Sequence, residues 1–299
     1  MSRSTLCSVM LNINYCAAVG GMELIMLKRT LTGAVLVAIL IPVFIFYDTA
    51  ALPVLFAFIS AVAMFETARC VGISDKKHLT VTLPAYLIAA ILPFYQYFLG
   101  KNGRPAVVAA AALVVFAIYA LSVFGVIKNK LSPMTQFITM LIYVSGASVS
   151  VVAFSHEENG GFVLLFLFLG SWLTDTFAYL CGTFFGRHKL IPKVSPKKTV
   201  EGSVGAIFFT LVAFALYAVL LSSVTELTPN YLAFVLTGFL LSVLSQIGDL
   251  NASFIKRAYG IKDYGNIFPG HGGVLDRFDS VIAIAPVIYL LSRVLTYFI

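Results

Sequence analysis

The chain has 299 residues, of which 60% are hydrophobic and only 11% are charged, and its mean hydropathy is +0.97. This composition excludes an ordinary soluble domain and indicates a polytopic membrane protein. The net charge of +7 does not by itself indicate nucleic-acid binding, because the cytoplasmic loops of membrane proteins collect Lys and Arg. The four cysteines are scattered, without CxxC spacing or a histidine partner. Neither a disulfide framework nor a zinc site is therefore indicated.

The first 25 residues are weakly patterned, whereas residues 26–40 (MLKRTLTGAVLVAIL) have the form of a membrane-protein start, a basic pair followed by an apolar run. We interpret residues 1–25 as a dispensable N-terminal extension. A cleavable signal peptide is the weaker alternative, because Asn12 and Asn14 interrupt the apolar core that such a peptide requires.

Nine apolar segments follow, each near the roughly 20 residues that a bilayer core requires. They cover residues 31–47, 50–68, 80–99, 105–127, 136–155, 161–182, 203–223, 231–250 and 278–298. The predicted fold class is therefore an all-α polytopic membrane protein with about nine transmembrane helices. Residues 26–160 are its N-terminal transmembrane helices, and residues 161–299 are a C-terminal transmembrane region that carries most of the polar candidates.

The basic residues predict the orientation of these segments. With the first basic pair inside, most loop lysines and arginines fall on the cytoplasmic side, whereas Lys101 and Arg104 fall outside. The positive-inside rule then places the two longest polar segments, residues 186–202 and 253–279, on the cytoplasmic side. Two polar segments on one face predict a single site there.

Residues 253–279 (SFIKRAYGIKDYGNIFPGHGGVLDRFD) have the highest density of charge and glycine in the chain. If the preceding helix continues to about Tyr259, four polar residues share one helix face: Asp249, Ser253, Lys256 and Arg257. Asp276 and Asp279 are also three residues apart and project together. The glycines and proline between these groups predict a turn-rich connection that brings the carboxylate-bearing ends together.

Several carboxylates near several cations, without a histidine or cysteine cluster, favour a hard cation such as Mg²⁺ held together with substrate phosphates. His271 is predicted to brace its loop, with a phosphate contact as the alternative. The backbone N–H groups near Gly272 and Gly273 are candidates for an anion-binding nest. The sequence has no GxxxxGK[ST] segment, so a nucleotide would not be held by a P-loop.

The other polar segment, residues 186–202, reads GRHKLIPKVSPKKTVEG. Its basic residues have an alternative role as topology anchors at the membrane surface. Lys197 and Lys198 are predicted to contact phosphate, because Ser195-Pro196 is predicted to form a turn that fixes their direction.

Asp175 lies within a predicted span, close to Ser171, Thr174 and Tyr179. An ionisable residue at membrane depth is costly, so it should face the bundle interior or a polar cavity and is functional by default. The alternative is a buried carboxylate that accepts hydrogen bonds from the neighbouring hydroxyl groups.

At these residues the sequence resembles the phosphatidate cytidylyltransferases, also called CDP-diacylglycerol synthases. The shared C-terminal pattern comprises Ser253, Lys256-Arg257, Lys262-Asp263, Gly265, Phe268-Pro269, His271-Gly272-Gly273 and Asp276-Arg277-Phe278-Asp279. The Ser-Pro-Lys-Lys-Thr-Val-Glu-Gly run from Ser195 and the Asp-Thr-Phe-Ala-Tyr run from Asp175 also resemble family features. The resemblance covers roughly residues 172–279, and residues before Met26 have no counterpart.

The resemblance implies transfer of a cytidylyl group from CTP to phosphatidic acid, giving CDP-diacylglycerol and pyrophosphate, with residues 161–299 as the catalytic region. It also implies Mg²⁺, with room for a second cation, and a homodimer in the cell inner membrane whose active site faces the cytoplasm. Membrane lipids, and no nucleic acid, are the other implied partners. The implied metal ligands are Asp249, Asp276 and Asp279. Lys256 and Arg257 join them in the catalytic set, and the implied substrate-binding residues are Asp175, Lys197, Lys198, Ser253, Lys262, His271, Gly272, Gly273 and Arg277.

Two other functions fit parts of the pattern. A transporter would use Asp175 and Asp249 as ion-coupling groups, but it leaves the basic, glycine-rich residues 253–279 without a role. A lipid kinase acting on a prenol or diacylglycerol would share the metal and the phosphate contacts but would release a nucleoside diphosphate.

Overall fold

The computed structural model describes residues 33–35, 37–100, 104–126, 131–268 and 272–298, so the predicted extension at residues 1–25 lies outside the described part of the chain. In the described part the helices are α1 Gly33–Ile45, α2 Ala51–Cys70, α3 Leu79–Leu99, α4 Arg104–Val123, α5 Pro133–Ala153, α6 Gly160–Phe185, α7 Val200–Val224, α8 Tyr231–Ala258 and α9 Leu275–Ser292. Two 3₁₀ turns, Lys76–His78 and Phe154–His156, precede α3 and follow α5.

Seven of these helices, α2 to α8, are long and apolar enough to cross a membrane, counting only the described residues. The prediction of a largely helical membrane protein is thus confirmed, whereas the count of nine spans is not. Helix α1 is shorter than the seven. Helix α9 has 18 residues and carries three charged side chains near its start: Asp276, Arg277 and Asp279. The predicted span 278–298 is wrong at its end, because the chain leaves the helix after Ser292 and pairs Phe298 with Pro229.

Polar side chains mark where several helices begin. Ser132 accepts a hydrogen bond from the N–H of Thr135 at the start of α5 (3.2 Å), and Asn230 accepts one from Ala233 at the start of α8 (3.2 Å). Each supplies an acceptor to one of the N–H groups that a helix start leaves unpaired. Helix α8 then runs to Ala258, well past the predicted span limit at residue 250. This confirms the predicted continuation of the helix to about Tyr259.

Helices α5 and α9 form the interior of the bundle. Helix α5 packs against α2, α3, α4 and α9, and α8 packs against α9, α7 and α4. Helices from the predicted N-terminal and C-terminal regions therefore share one core. The pair α6 and α7 is held close by glycine: a Cβ at Gly202 would lie 2.6 Å from the carbonyl oxygen of Ala178. Small residues permit such close approach of membrane helices.

A small hairpin interrupts the helices between α6 and α7. Its strands, β1 Lys189–Ile191 and β2 Ser195–Thr199, pair antiparallel, with Ile191 opposite Ser195 and Lys189 opposite Thr199. The predicted turn at Ser195-Pro196 is wrong, because these residues belong to β2. The turn instead comprises residues 191–194, where the N–H of Val194 donates to the carbonyl of Ile191 (3.1 Å). Pro192 then follows the first turn residue, the position at which its fixed φ favours a β-turn.

Candidate active site

A polar cavity of about 470 Å³ opens between α6, the hairpin, α8 and the start of α9. Eight charged residues line it: Asp175, Lys189, Lys197, Lys198, Asp249, Asp276, Arg277 and Asp279. Seven of them were predicted as site residues from the sequence, and Lys189 is the addition. The two polar segments of the sequence therefore meet at one place, as predicted.

Asp175 lies within α6, ten residues before the helix ends at Phe185. Its side chain is exposed to the cavity. This confirms the expectation that an acidic residue inside a span faces a polar space and not lipid.

Asp249 on α8 is half-buried and forms an ion pair with Lys198 of β2, at 2.5 Å between Oδ2 and Nζ. The Lys198 ammonium also donates to the backbone carbonyl of Gln246, one helical turn earlier (3.3 Å). The hairpin is thereby tied to α8. Lys197, the preceding residue, is exposed and lines the same cavity. Lys198 is therefore paired with the Asp249 carboxylate, whereas Lys197 is exposed to the solvent of the cavity.

Thr199 and Glu201 fix the junction between the hairpin and α7. The Thr199 hydroxyl accepts from the N–H of Gly202 (3.1 Å) and caps the helix. The Glu201 carboxylate accepts from the N–H of Arg187 (3.0 Å) and from the ring Nδ1 of His188 (2.6 Å). Both ends of the hairpin are therefore anchored at the start of α7.

Asp276 is buried, and its carboxylate is extensively hydrogen-bonded. Oδ1 accepts from the Lys256 ammonium (2.7 Å), and Oδ2 accepts from the backbone N–H groups of Tyr264 (2.8 Å) and Gly273 (3.0 Å). A carboxylate offers about four acceptor positions, and three are used in this way. Asp276 thus ties α8, the connecting loop and α9 together while still facing the cavity.

Lys256 is placed behind Asp276 and is not among the residues that line the cavity. Its side chain is only 10% exposed and lies 5.4 Å from the centre of the Tyr264 ring. Burial raises the pKa of the Tyr264 phenol well above its usual value, and the nearby Asp276 charge adds to the effect. The phenol therefore stays neutral and donates to the carbonyl of Ala252 (3.3 Å).

The other predicted residues are not brought to the cavity wall. Ser253 is buried within α8, whereas Arg257 and Lys262 are exposed at the surface. The Arg257 guanidinium donates to the carbonyl of Ile261 (3.0 Å). The phosphate-binding roles of these three residues stay predictions.

The predicted glycine nest is only partly described, because His271 lies outside the described residues. Gly272 has a φ of +87°, a conformation that favours glycine. Its carbonyl accepts from the N–H of Phe268 (2.9 Å), which closes a tight loop. The N–H of Gly273 is directed to Asp276. In this structure the N–H group of Gly273 therefore binds a carboxylate of the chain itself, that of Asp276.

Glu66 is a second residue that sequence reasoning missed. It lies on α2, inside an apolar span, and is 1% exposed. Its carboxylate accepts from the N–H groups of Val274 (2.9 Å) and Leu275 (2.8 Å) at the start of α9. The available signal was its charge, because an acidic residue within a membrane span is costly unless it has a specific partner.

The carboxylates do not form a ready-made metal cluster. Within the described ranges, no three His, Cys, Asp or Glu side chains converge closely enough to hold an ion by themselves. What the cavity offers instead is acidic groups on three helices, α6, α8 and α9, opposite lysines of the hairpin.

A comparison with known families identifies the chain. Residues 27–295 match the model of the Cytidylyltransferase family. The chain belongs to this family. The match includes every residue of the cavity wall, and both polar segments singled out from the sequence lie within the cytidylyltransferase region.

Curated relatives agree with this membership. Over 275 residues the chain is 34% identical to the phosphatidate cytidylyltransferase of Bacillus subtilis (strain 168), covering 89% of this chain and 97% of that protein. It is 32% identical to proteins of the same name from Staphylococcus epidermidis, strain ATCC 35984, and Staphylococcus aureus, strain COL. Each of these matches covers 88% of this chain and 97% of the relative. The family resemblance inferred from the motifs is confirmed.

Proposed function

We propose that this protein is a phosphatidate cytidylyltransferase, which converts CTP and phosphatidic acid to CDP-diacylglycerol and pyrophosphate. In this reaction a phosphate oxygen of phosphatidic acid bonds to the α-phosphorus of CTP. The bond from the α-phosphorus to the bridging oxygen breaks, and pyrophosphate leaves with that electron pair. Membership of the Cytidylyltransferase family and the names of the curated relatives support this assignment.

The observation that carries the proposal is the cavity itself, where acidic residues of α6, α8 and α9 face Lys197, Lys198 and Arg277. Phosphate monoesters have a second pKa near 6, so phosphatidic acid is largely ionised near pH 7 and needs no protein base. Catalysis then consists mainly of positioning two polyanions and offsetting their charge. A cavity with this mixture of charges suits that task.

The basic residues have distinct proposed roles. Lys197 and Arg277 are exposed at the cavity, so we assign them to the CTP phosphates directly. Lys198 holds Asp249 in this structure and would share its charge with an incoming phosphate. Lys256 acts through Asp276, whose Oδ1 it fixes.

The donor set fits Mg²⁺, which is usually bound through one or two carboxylates together with substrate phosphates. We assign Asp249 and Asp279 as principal ligands. Asp276 supplies at most its remaining acceptor position, since three are occupied. The ion would supply positive charge to the phosphates of CTP, and Asp175 would complete the acidic wall.

The proposed location is the cell inner membrane, with the cavity facing the cytoplasm. The seven apolar helices and the lysine-rich hairpin at the cavity support this orientation. A homodimer is the proposed assembly, on the basis of the family resemblance alone.

The test is a product analysis with purified protein, labelled CTP and Mg²⁺, offered either phosphatidic acid or a lipid alcohol. The proposal predicts pyrophosphate and a CDP-lipid with phosphatidic acid only. A phosphorylated lipid alcohol would indicate a lipid kinase. No product with either lipid would remove the enzyme proposal and favour a transporter.

A further inference from the structure

Glu66 connects two parts of the chain that are far apart in sequence. It accepts from the N–H groups of Val274 and Leu275, which are 208 and 209 residues further along the chain. The N-cap residue of α9, Val274, makes no side-chain cap of its own, and a helix start leaves its first N–H groups without intrahelical partners. A carboxylate at this end also interacts favourably with the helix dipole. Glu66 therefore caps α9 from a different helix.

Two glycines make room for this cap. A Cβ added at Gly265 or at Gly273 would collide with the Glu66 carboxylate. Gly265 and Gly273, on either side of the loop between α8 and α9, therefore both lie directly against the Glu66 carboxylate. Beside it, the N–H of Gly273 donates to Asp276. Three consecutive backbone donors, residues 273–275, thus end on two carboxylates.

The start of α9, which Glu66 caps, contains the three α9 residues of the candidate site. Asp276, Arg277 and Asp279 all line the cavity. Asp276 is held to α8 by Lys256, with which it forms a buried ion pair. The start of α9 is therefore fixed from α2 by Glu66 and from α8 by Lys256.

From this geometry we infer that Glu66 is a positioning residue, which sets how the first turn of α9 presents its three charged side chains to the substrates. It does not line the cavity, so it acts through the backbone of Val274 and Leu275. The kinetic part of this inference rests on the proposed cytidylyltransferase function. The structural part does not.

The test is Glu66→Gln, which keeps the size of the side chain. Its amide has one acceptor oxygen, and its NH₂ group would face the second backbone donor. A displacement of about 1 Å in a reacting group costs up to about 10²-fold, so we expect turnover to fall about 10- to 100-fold. The apparent KM for CTP should rise as well, because Arg277, which we assign to the CTP phosphates, lies on the turn of α9 that Glu66 holds.

A second readout is independent of activity. Hydrogen exchange at the amides of Val274 and Leu275 should become faster in Glu66→Gln, while exchange in the last two turns of α9 stays unchanged. The matched control is Glu157→Gln. Glu157 forms an ion pair with Arg293, just past the other end of α9, and its loss should leave turnover within about twofold of wild type.

Wild-type turnover per folded molecule, or unchanged exchange at residues 274 and 275, overturns the inference. Lower thermal stability with wild-type turnover also overturns it, because Glu66 would then stabilise the fold without positioning the site. If Glu66→Gln does not fold, Glu66→Asp is judged by the same criteria, since it keeps the charge but withdraws the carboxylate by one methylene. If wild-type protein forms no CDP-lipid, the proposed function fails while hydrogen exchange still decides the role of Glu66.

Discussion

Replacement of Lys256 by Met tests the central ion pair of the candidate site. The substitution keeps the length of the side chain and removes its charge, leaving the Asp276 carboxylate with two backbone donors and no counter-ion. The side chains of the pair are 10% and 3% exposed. Removing one partner of a buried pair costs several kcal/mol, and the two remaining N–H bonds place this case at the lower end, about 3 kcal/mol. Turnover should fall as well, because Oδ1 of Asp276 loses the group that fixes it.

Unfolding in detergent micelles, followed alongside turnover, measures both effects. The matched control is Arg257→Met at the next position, where an exposed guanidinium makes one hydrogen bond, to the carbonyl of Ile261. That change should cost less than about 1 kcal/mol. In addition, Asp276→Asn should cost less in the Lys256→Met background than in wild type, because the pair is already broken. If Lys256→Met were as stable as Arg257→Met, the structural role of this pair would be refuted.

Three further predictions concern the ends, the cavity and the packing of the chain. A protein that starts at Met26 should keep wild-type turnover, because residues 1–25 contribute no predicted span or site group, and a loss of turnover would contradict that interpretation. Asp249→Asn and Asp276→Asn should each leave a folded protein with turnover lower by orders of magnitude, and the double variant should be little worse than either, because the two carboxylates serve one unit. Multiplicative losses in the double variant would assign them to separate steps. Gly202→Ala should lower stability by about 1–3 kcal/mol, because its Cβ would lie 2.6 Å from the carbonyl oxygen of Ala178, and unchanged thermal unfolding would show that α6 and α7 can separate without cost.

Local patterns predicted much of the site. The apolar and polar spacing on α8 correctly predicted that the helix continues past Asp249 through Lys256, because helical periodicity is a property of neighbouring residues. The cost of charge at membrane depth directed Asp175 to a polar cavity for the same local reason. Both inferences need only a short window of sequence and the properties of the surrounding solvent.

Long-range contacts were beyond such patterns. Glu66 meets partners more than 200 residues away, and no spacing rule links α2 to the start of α9. The burial of Lys256 was also missed, because a lysine near the end of a helix is usually exposed, and only the fold shows that Asp276 lies opposite it. The turn at Ser195-Pro196 was placed wrongly because Pro192 offered a second turn signal three residues earlier.

The central claim is that this cavity joins the α-phosphorus of CTP to phosphatidic acid. The most direct measurement supplies CTP labelled at either the α- or the γ-phosphorus, with Mg²⁺ and phosphatidic acid, to wild-type protein and to Asp249→Asn. The account predicts that wild type transfers the α-label to lipid and releases the γ-label as pyrophosphate, and that Asp249→Asn does so at least about 100-fold more slowly. A γ-label in the lipid, or wild-type rates in folded Asp249→Asn, would contradict it.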